Sequence, residues 1–174
     1  MIKDLLSEII KTDDVNIIIV ECKSVTIKNI TNEGSALTEA IAIKVKRSPR
    51  FELIGCSIFN CTMGVFIKDS NNITLKNNKI KLLLDPTVER LCSEFGCSQP
   101  YVGIKSENNS VDNFEGNDIS LQGNPSLDYI GIVHESDRNC KSRYTYHLME
   151  DNDISVPPGK CLAWRDGTCE KYYA

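Results

Sequence analysis

The stretches GVFIKDSNNITLKNNKI (64–80) and GIKSENNSVDNFEGNDI (103–119) decide the reading of the fold. Both open on glycine, run through a short β-prone segment, cross a polar turn and end on Asn-x-Ile. Laid over each other, they place Leu75 on Phe114, Asn78 on Asn117 and Ile80 on Ile119. FELIGCSI (51–58) joins the same columns with Leu53, Cys56 and Ile58, and Met149, Asn152 and Ile154 continue them. Earlier in the chain, Ile27 and Ile30 fit the first two columns, and the third slips to Asn32. A second anchor lies eleven residues before Leu53, Leu75 and Phe114, at Ala42, Gly64 and Gly103. It opens the segments AIKVK, GVFIK and GIKSE, and Gly131 opens a fourth, GIVHE. The shortest repeat, Leu53 to Leu75, is 22 residues.

A unit this short cannot bury its own apolar face, so it must stack on its neighbours to build a continuous core. Strand alternation sends every second side chain inward. Ile73, Leu75 and Ile80 therefore point in, and Thr74 and Lys76 point out. The Asn78, Asn117, Asn152 column falls where the chain must turn, and asparagine tolerates left-handed backbone there. The spacing predicts an all-β protein, a single-stranded right-handed parallel β-helix solenoid of about five rungs. One domain spans 1–174: a short capping helix over 1–14, rungs over 15–156 and an irregular C-terminal cap over 157–174.

The two quoted stretches, with looser copies on both sides, resemble the parallel β-helix repeats of the pectin-lyase-like superfamily over about residues 16–156. The resemblance implies the fold more than the chemistry, because many activities share one scaffold. ITLKNNKI is also similar to the LxLxxNxL core of a leucine-rich repeat, for which 22 residues is a permitted period. The Gly-led segment between successive cores favours a second strand over the helix or turn such a repeat would place there.

The resemblance implies where a catalytic site would lie. Polygalacturonase-like members carry aspartates with Gly-His-Gly and Arg-Ile-Lys motifs. Here His134 and His147 lack flanking glycines, and Gly103-Ile104-Lys105 lacks the arginine. Pectate-lyase-like members use a calcium site of clustered acids with a basic proton acceptor. The loose analogue is Glu135, Asp137 and Arg138 with Glu107 one rung below. Exposed charges on turns are common, so surface ion pairing is the plainer role for these residues. Calcium enters only if the chain is a lyase, and no other cofactor is implied.

Insertions fall at 33–41, 83–102, 122–130 and 137–146. The longest begins with Asp85-Pro86, a helix-start signal. In stacked repeats, insertions gather as loops on one face, often the binding face. Tyr101 and Tyr129 each lie two residues before a Gly anchor, on adjacent rungs at that edge. With Tyr144 and Tyr146 they form a candidate sugar-stacking group. The alternative is that they pack beneath the loops.

The bulk properties narrow the function classes. The chain has 174 residues, net charge −4 and a pI near 5.3, which disfavours nucleic acid as a partner. No apolar run reaches the roughly 20 residues of a membrane span. MIKDLLSEIIKTDD (1–14) reads as an amphipathic helix rather than a secretory leader, pointing to an intracellular or virion-associated protein. Eight cysteines are unusual in that setting, though intracellular hyperthermophile proteins are a known exception. Cys92 with Cys97, and Cys161 with Cys169, are candidate disulfides. Their spacing does not suit a zinc site, and no metal site is assigned. Cys140, among Arg138, Lys141 and Arg143, is a candidate reactive thiol.

These features point to a non-catalytic structural or recognition protein, viral or surface-associated, binding polysaccharide or a protein partner, with homo-oligomers in reach. The alternatives are a polysaccharide lyase or glycoside hydrolase, and a leucine-rich-repeat-like interaction protein.

Overall fold

A computed structural model describes residues 15–33, 41–59, 61–83, 101–109, 112–123, 127–136, 151–165 and 168–172. These residues form sixteen strands in three sheets. The first sheet takes β1 (Val15–Val20), β4 (Ile41–Lys46), β7 (Met63–Lys68), β10 (Tyr101–Asn109), β13 (Tyr129–Ser136), β15 (Cys161–Arg165) and β16 (Thr168–Tyr172), in that order. The second takes β2 (Val25–Lys28), β5 (Phe51–Ile54), β8 (Ile73–Lys76) and β11 (Asp112–Glu115). The third takes β3 (Thr31–Glu33), β6 (Ser57–Phe59), β9 (Lys79–Leu83), β12 (Asp118–Gln122) and β14 (Asp153–Ser155).

The all-β class agrees with the sequence, but the expectation of one parallel solenoid with a capping helix is corrected. The strands divide among three sheets, and the first sheet is mixed, because β16 runs antiparallel to β15. A two-residue connection allows only an antiparallel return, since a parallel one needs a long crossover. No helix occurs among the described residues. Residues 1–14, where the sequence predicts the capping helix, lie outside them, as does the helix start at Asp85-Pro86. The segment expected to be an irregular cap instead extends the first sheet through β15, in register with β13.

The columns themselves hold. Ile27, Leu53, Leu75 and Phe114 are successive partners in the second sheet. Asn32, Ile58, Ile80, Ile119 and Ile154 are successive partners in the third. Leu53, Leu75, Ile58, Ile80 and Ile119 are fully buried. Thr74 and Lys76 alternate outward from Ile73 and Leu75.

Two corners turn the chain between sheets, and each uses the same device. At the first, Glu21, Arg47, Asp69 and Asn108 adopt left-handed backbone. At the second, Asn29, Gly55, Asn77 and Gly116 do so. The left-handed residue is therefore the one before the buried asparagine, not Asn78 or Asn117 themselves. The Asn, Gly, Asn, Gly alternation has a steric cause. A Cβ on Gly55 would sit 2.7 Å from Asn29 Oδ1, and one on Gly116 would strike Asn77 Oδ1.

The residue after each left-handed turn points inward and builds a polar ladder. Asn78 Nδ2 donates to the Leu53 carbonyl at 2.9 Å and to Asn117 Oδ1 at 2.9 Å. Asn117 Nδ2 donates to the Leu75 carbonyl at 2.8 Å and to Asn152 Oδ1 at 2.7 Å. The backbone N–H groups of Cys56, Asn78 and Asn117 each donate to the amide oxygen one repeat on. The first corner carries a second ladder that the sequence did not announce. There the N–H of Cys22 donates to Ser48 Oγ, that of Ser48 to Ser70 Oγ, and that of Ser70 to Asn109 Oδ1. Buried polar backbone must find partners, and these side chains supply them where the sheets stop.

Cys161 and Cys169 form a disulfide across the β15–β16 hairpin, with Cα atoms 5.9 Å apart. Closing so short a loop contributes about 2–3 kcal/mol through the unfolded chain. Cys92, Cys97 and Cys140 lie outside the described residues. Cys56 is buried and thiol-bearing in the ladder column, the packing role its position suggests. Burial pushes the Cys61 thiol up to about 12, with its backbone contact to Ala42 pulling the other way.

Candidate functional site

The outer face of the first sheet carries a feature that strand alternation alone does not produce. Met63 and Phe66 belong to an outer apolar cluster, yet Val65 between them lies in the core. The chain bends at Gly64 to allow this, and Gly103 and Gly131 sit at the matching places in β10 and β13. A Cβ on Gly103 would lie 2.5 Å from Ile119 Cγ2 and 2.6 Å from the Gly131 carbonyl oxygen. Only glycine fits between the sheets at that approach. The bend turns Val102 and Val133 outward beside Met63, with Ile130 and Trp164 packed on them.

These residues floor a groove of about 440 Å³ against β15, whose rim carries Lys105, Glu135, Asp128 and Lys160. The register fixes their order. Lys105 pairs with Val133, and Val133 with Trp164, on three adjacent strands. Glu107 pairs with Glu135 and, on its other side, with Lys68.

Glu107 is held by two cations, Lys105 Nζ at 2.6 Å and Lys68 Nζ at 2.9 Å. Burial works to raise its pKa, but the hydrogen bonds and charges of Lys105 and Lys68 together outweigh that and hold it low. Lys68 is raised chiefly by its hydrogen bond to Glu107, and further by that carboxylate's charge. Lys105 Nζ also lies 5.9 Å from the centre of the Phe66 ring. Glu135 makes no hydrogen bond or ion pair among the described residues. The stabilisation from Glu107 is complete above the ordinary glutamate range and is lost as pH falls through its lowered pKa. Urea denaturation of the wild type and of Glu107→Gln should therefore show a stability gap at pH 6 that narrows at pH 3. A gap independent of pH would remove the ion pairs as its cause.

The sequence candidates divide. Glu107 and Glu135 meet on adjacent strands, as aligned. Asp137, Arg138, Tyr144 and Tyr146 lie outside the described residues, as does His147. Tyr101 and Tyr129 stack with ring centres 5.4 Å apart, but they are 3% and 2% exposed. Their side chains join the inner cluster, as in the packing alternative, and Tyr129 also lines the groove. His134 is buried in the column of Ser106 and Ile67. No group of three or more potential metal ligands gathers among the described residues.

Trp164, the aromatic at the groove, falls in the segment that the sequence reads as an irregular cap. The repeat carries a glycine anchor, and in β15 that place is taken by Leu162, whose carbonyl oxygen would lie 2.6 Å from a Cβ on Gly131. The available signal was the Cys161–Cys169 pair, whose closure makes CLAWR the strand of a hairpin.

No family model, curated protein or solved structure matches the chain.

Proposed function

We propose that this protein is a saccharide-recognition module, binding its ligand in the groove on the outer face of the first sheet. The observation that carries the reading is Trp164 standing beside an apolar floor, with Lys105, Glu135 and Lys160 at the rim. Sugars present apolar C–H faces and polar edges. They are met by a flat aromatic ring beside hydrogen-bonding side chains, and pockets of this kind combine an apolar lining with a few placed polar groups. The repeat resemblance to pectin-lyase-like proteins supports the same ligand class. The role proposed is binding, without an assigned reaction. Glu107 is committed to two lysines that hold its pKa low, which suits positioning of charge better than proton donation.

Trp164 is the chain's single tryptophan, so its emission reports on the groove directly. Titration with a panel of neutral and acidic polysaccharides, with and without calcium, should give a saturable emission change for at least one of them. Trp164→Ala should weaken that binding about tenfold or more, measured by calorimetry, while leaving the fold intact by circular dichroism. A panel without a single saturable response would overturn the saccharide reading and leave a protein partner to be sought by pull-down.

A further inference from the structure

Resting on the saccharide reading, we propose that the groove selects an N-acetylated sugar, and that Glu135 and Lys105 are the residues that read the acetamido group. An acetamido group has three parts: an N–H donor, a carbonyl acceptor and a methyl. The groove offers a complement to each within three adjacent strands, β7, β10 and β13.

Glu135 is the acceptor. It is half-buried on the groove wall, and no described residue occupies its carboxylate, in contrast to Glu107 beside it. Lys105 is the donor. An ammonium has three N–H groups, and Glu107 takes one of them at 2.6 Å. The methyl falls on Val133, Val102 and Met63, an aliphatic floor on the outside of a sheet. Such a floor gives nothing to a hydroxyl, which would lose water there without a partner.

The spacing suits one sugar unit. Lys105, Val133 and Trp164 are successive cross-strand partners, so their backbones step by about 4.8 Å each. A pyranose ring over Trp164 then places a substituent over Val133, between Lys105 and Glu135. The four rim charges, two lysines and two carboxylates, balance. A neutral, amide-bearing ligand fits that balance better than an acidic one.

The test uses three β-1,4-linked tetramers that differ only at the second carbon of each ring: N-acetylglucosamine, glucosamine and glucose. Binding to the full-length protein is read by Trp164 emission and by calorimetry. The N-acetylated tetramer should bind at least about tenfold tighter than either of the others. Glu135→Gln should reduce that preference several-fold with little change in thermal stability, because among the described residues the carboxylate acts only through its charge on Lys68. Equal binding of the glucose tetramer, or tighter binding of the glucosamine tetramer, would overturn the inference while the saccharide reading stands. A preference untouched by Glu135→Gln would overturn the role of Glu135. No binding of any tetramer would overturn the inference. Separately, a polysaccharide panel that also gave no response would bring down the saccharide reading itself.

Discussion

Asn117→Ala is expected to lower the stability of this protein by about 4 kcal/mol, the largest loss from any single side chain described above. The amide makes four side-chain bonds in a buried place. Its Nδ2 donates to the Leu75 carbonyl and to Asn152 Oδ1, and its Oδ1 accepts from both nitrogens of Asn78. Alanine leaves the Leu75 carbonyl and the Asn78 amide without those partners, in surroundings with no room for solvent. Each orphaned buried group costs roughly 1–3 kcal/mol. The transition midpoint should fall by about 8–16 °C for a chain of this size. Asn117→Asp is the instructive companion. It keeps the shape and the acceptor but replaces the donor, placing a carboxylate oxygen against the Leu75 carbonyl. It should be at least as harmful near neutral pH and partly rescued in acid. Scanning calorimetry of both variants across pH decides the matter, and a loss below about 1 kcal/mol for alanine would show that the ladder is not a main support.

Gly103→Ala is the second. The added methyl would lie 2.5 Å from Ile119 Cγ2 and 2.6 Å from the Gly131 carbonyl oxygen. Neither neighbour can yield cheaply, because one is a fully buried side chain and the other is the backbone of the next strand. The expected cost is about 3 kcal/mol from overpacking. It should come with displacement of Val102 from the outer cluster, since the bend at Gly103 is what turns that residue outward. If the groove binds saccharide as proposed, affinity should fall along with stability, although Gly103 is not among the groove-lining residues. A variant that melts like the wild type would mean that the third sheet slides aside without strain.

The repeat was legible because its columns are chemically uniform. Leu53, Leu75 and Phe114, and likewise Ile58, Ile80 and Ile119, each keep one kind of side chain at one place in the core. The second ladder was not legible, for the opposite reason. Ser48, Ser70 and Asn109 do one job with two residue types, because any short polar side chain can accept the N–H of the repeat before it. The left-handed corners were placed one residue late, since asparagine occurs both at the turn and just inside it, as in Asn77 and Asn78. The mixed first sheet escaped because β15 lacks the glycine by which its predecessors were found. In the site, Glu107 and Glu135 were paired correctly by alignment. Tyr101 and Tyr129 were aligned correctly, but spacing alone did not decide between exposure and packing, because the strand's alternation breaks at the glycine that follows them.

The amide ladder also has a direction and an end. Every link passes a hydrogen bond from one repeat to the next, and the last inward amide on the N-terminal side is Asn78, with Cys56 and then Ile30 in the places beyond it. Val25, Ile27 and Ile30 are only partly covered, whereas Leu53 and Ile58, one layer on, are sealed. Cohesion is thus graded along the stack. The disulfide and the groove lie at the C-terminal end of the stack, and the amide ladder stops short of the N-terminal one. Opening should begin at β1, β2 and β3 and spread layer by layer, in the manner of sub-global unfolding units. The groove proposed as the binding face then belongs to the part of the protein that lets go last.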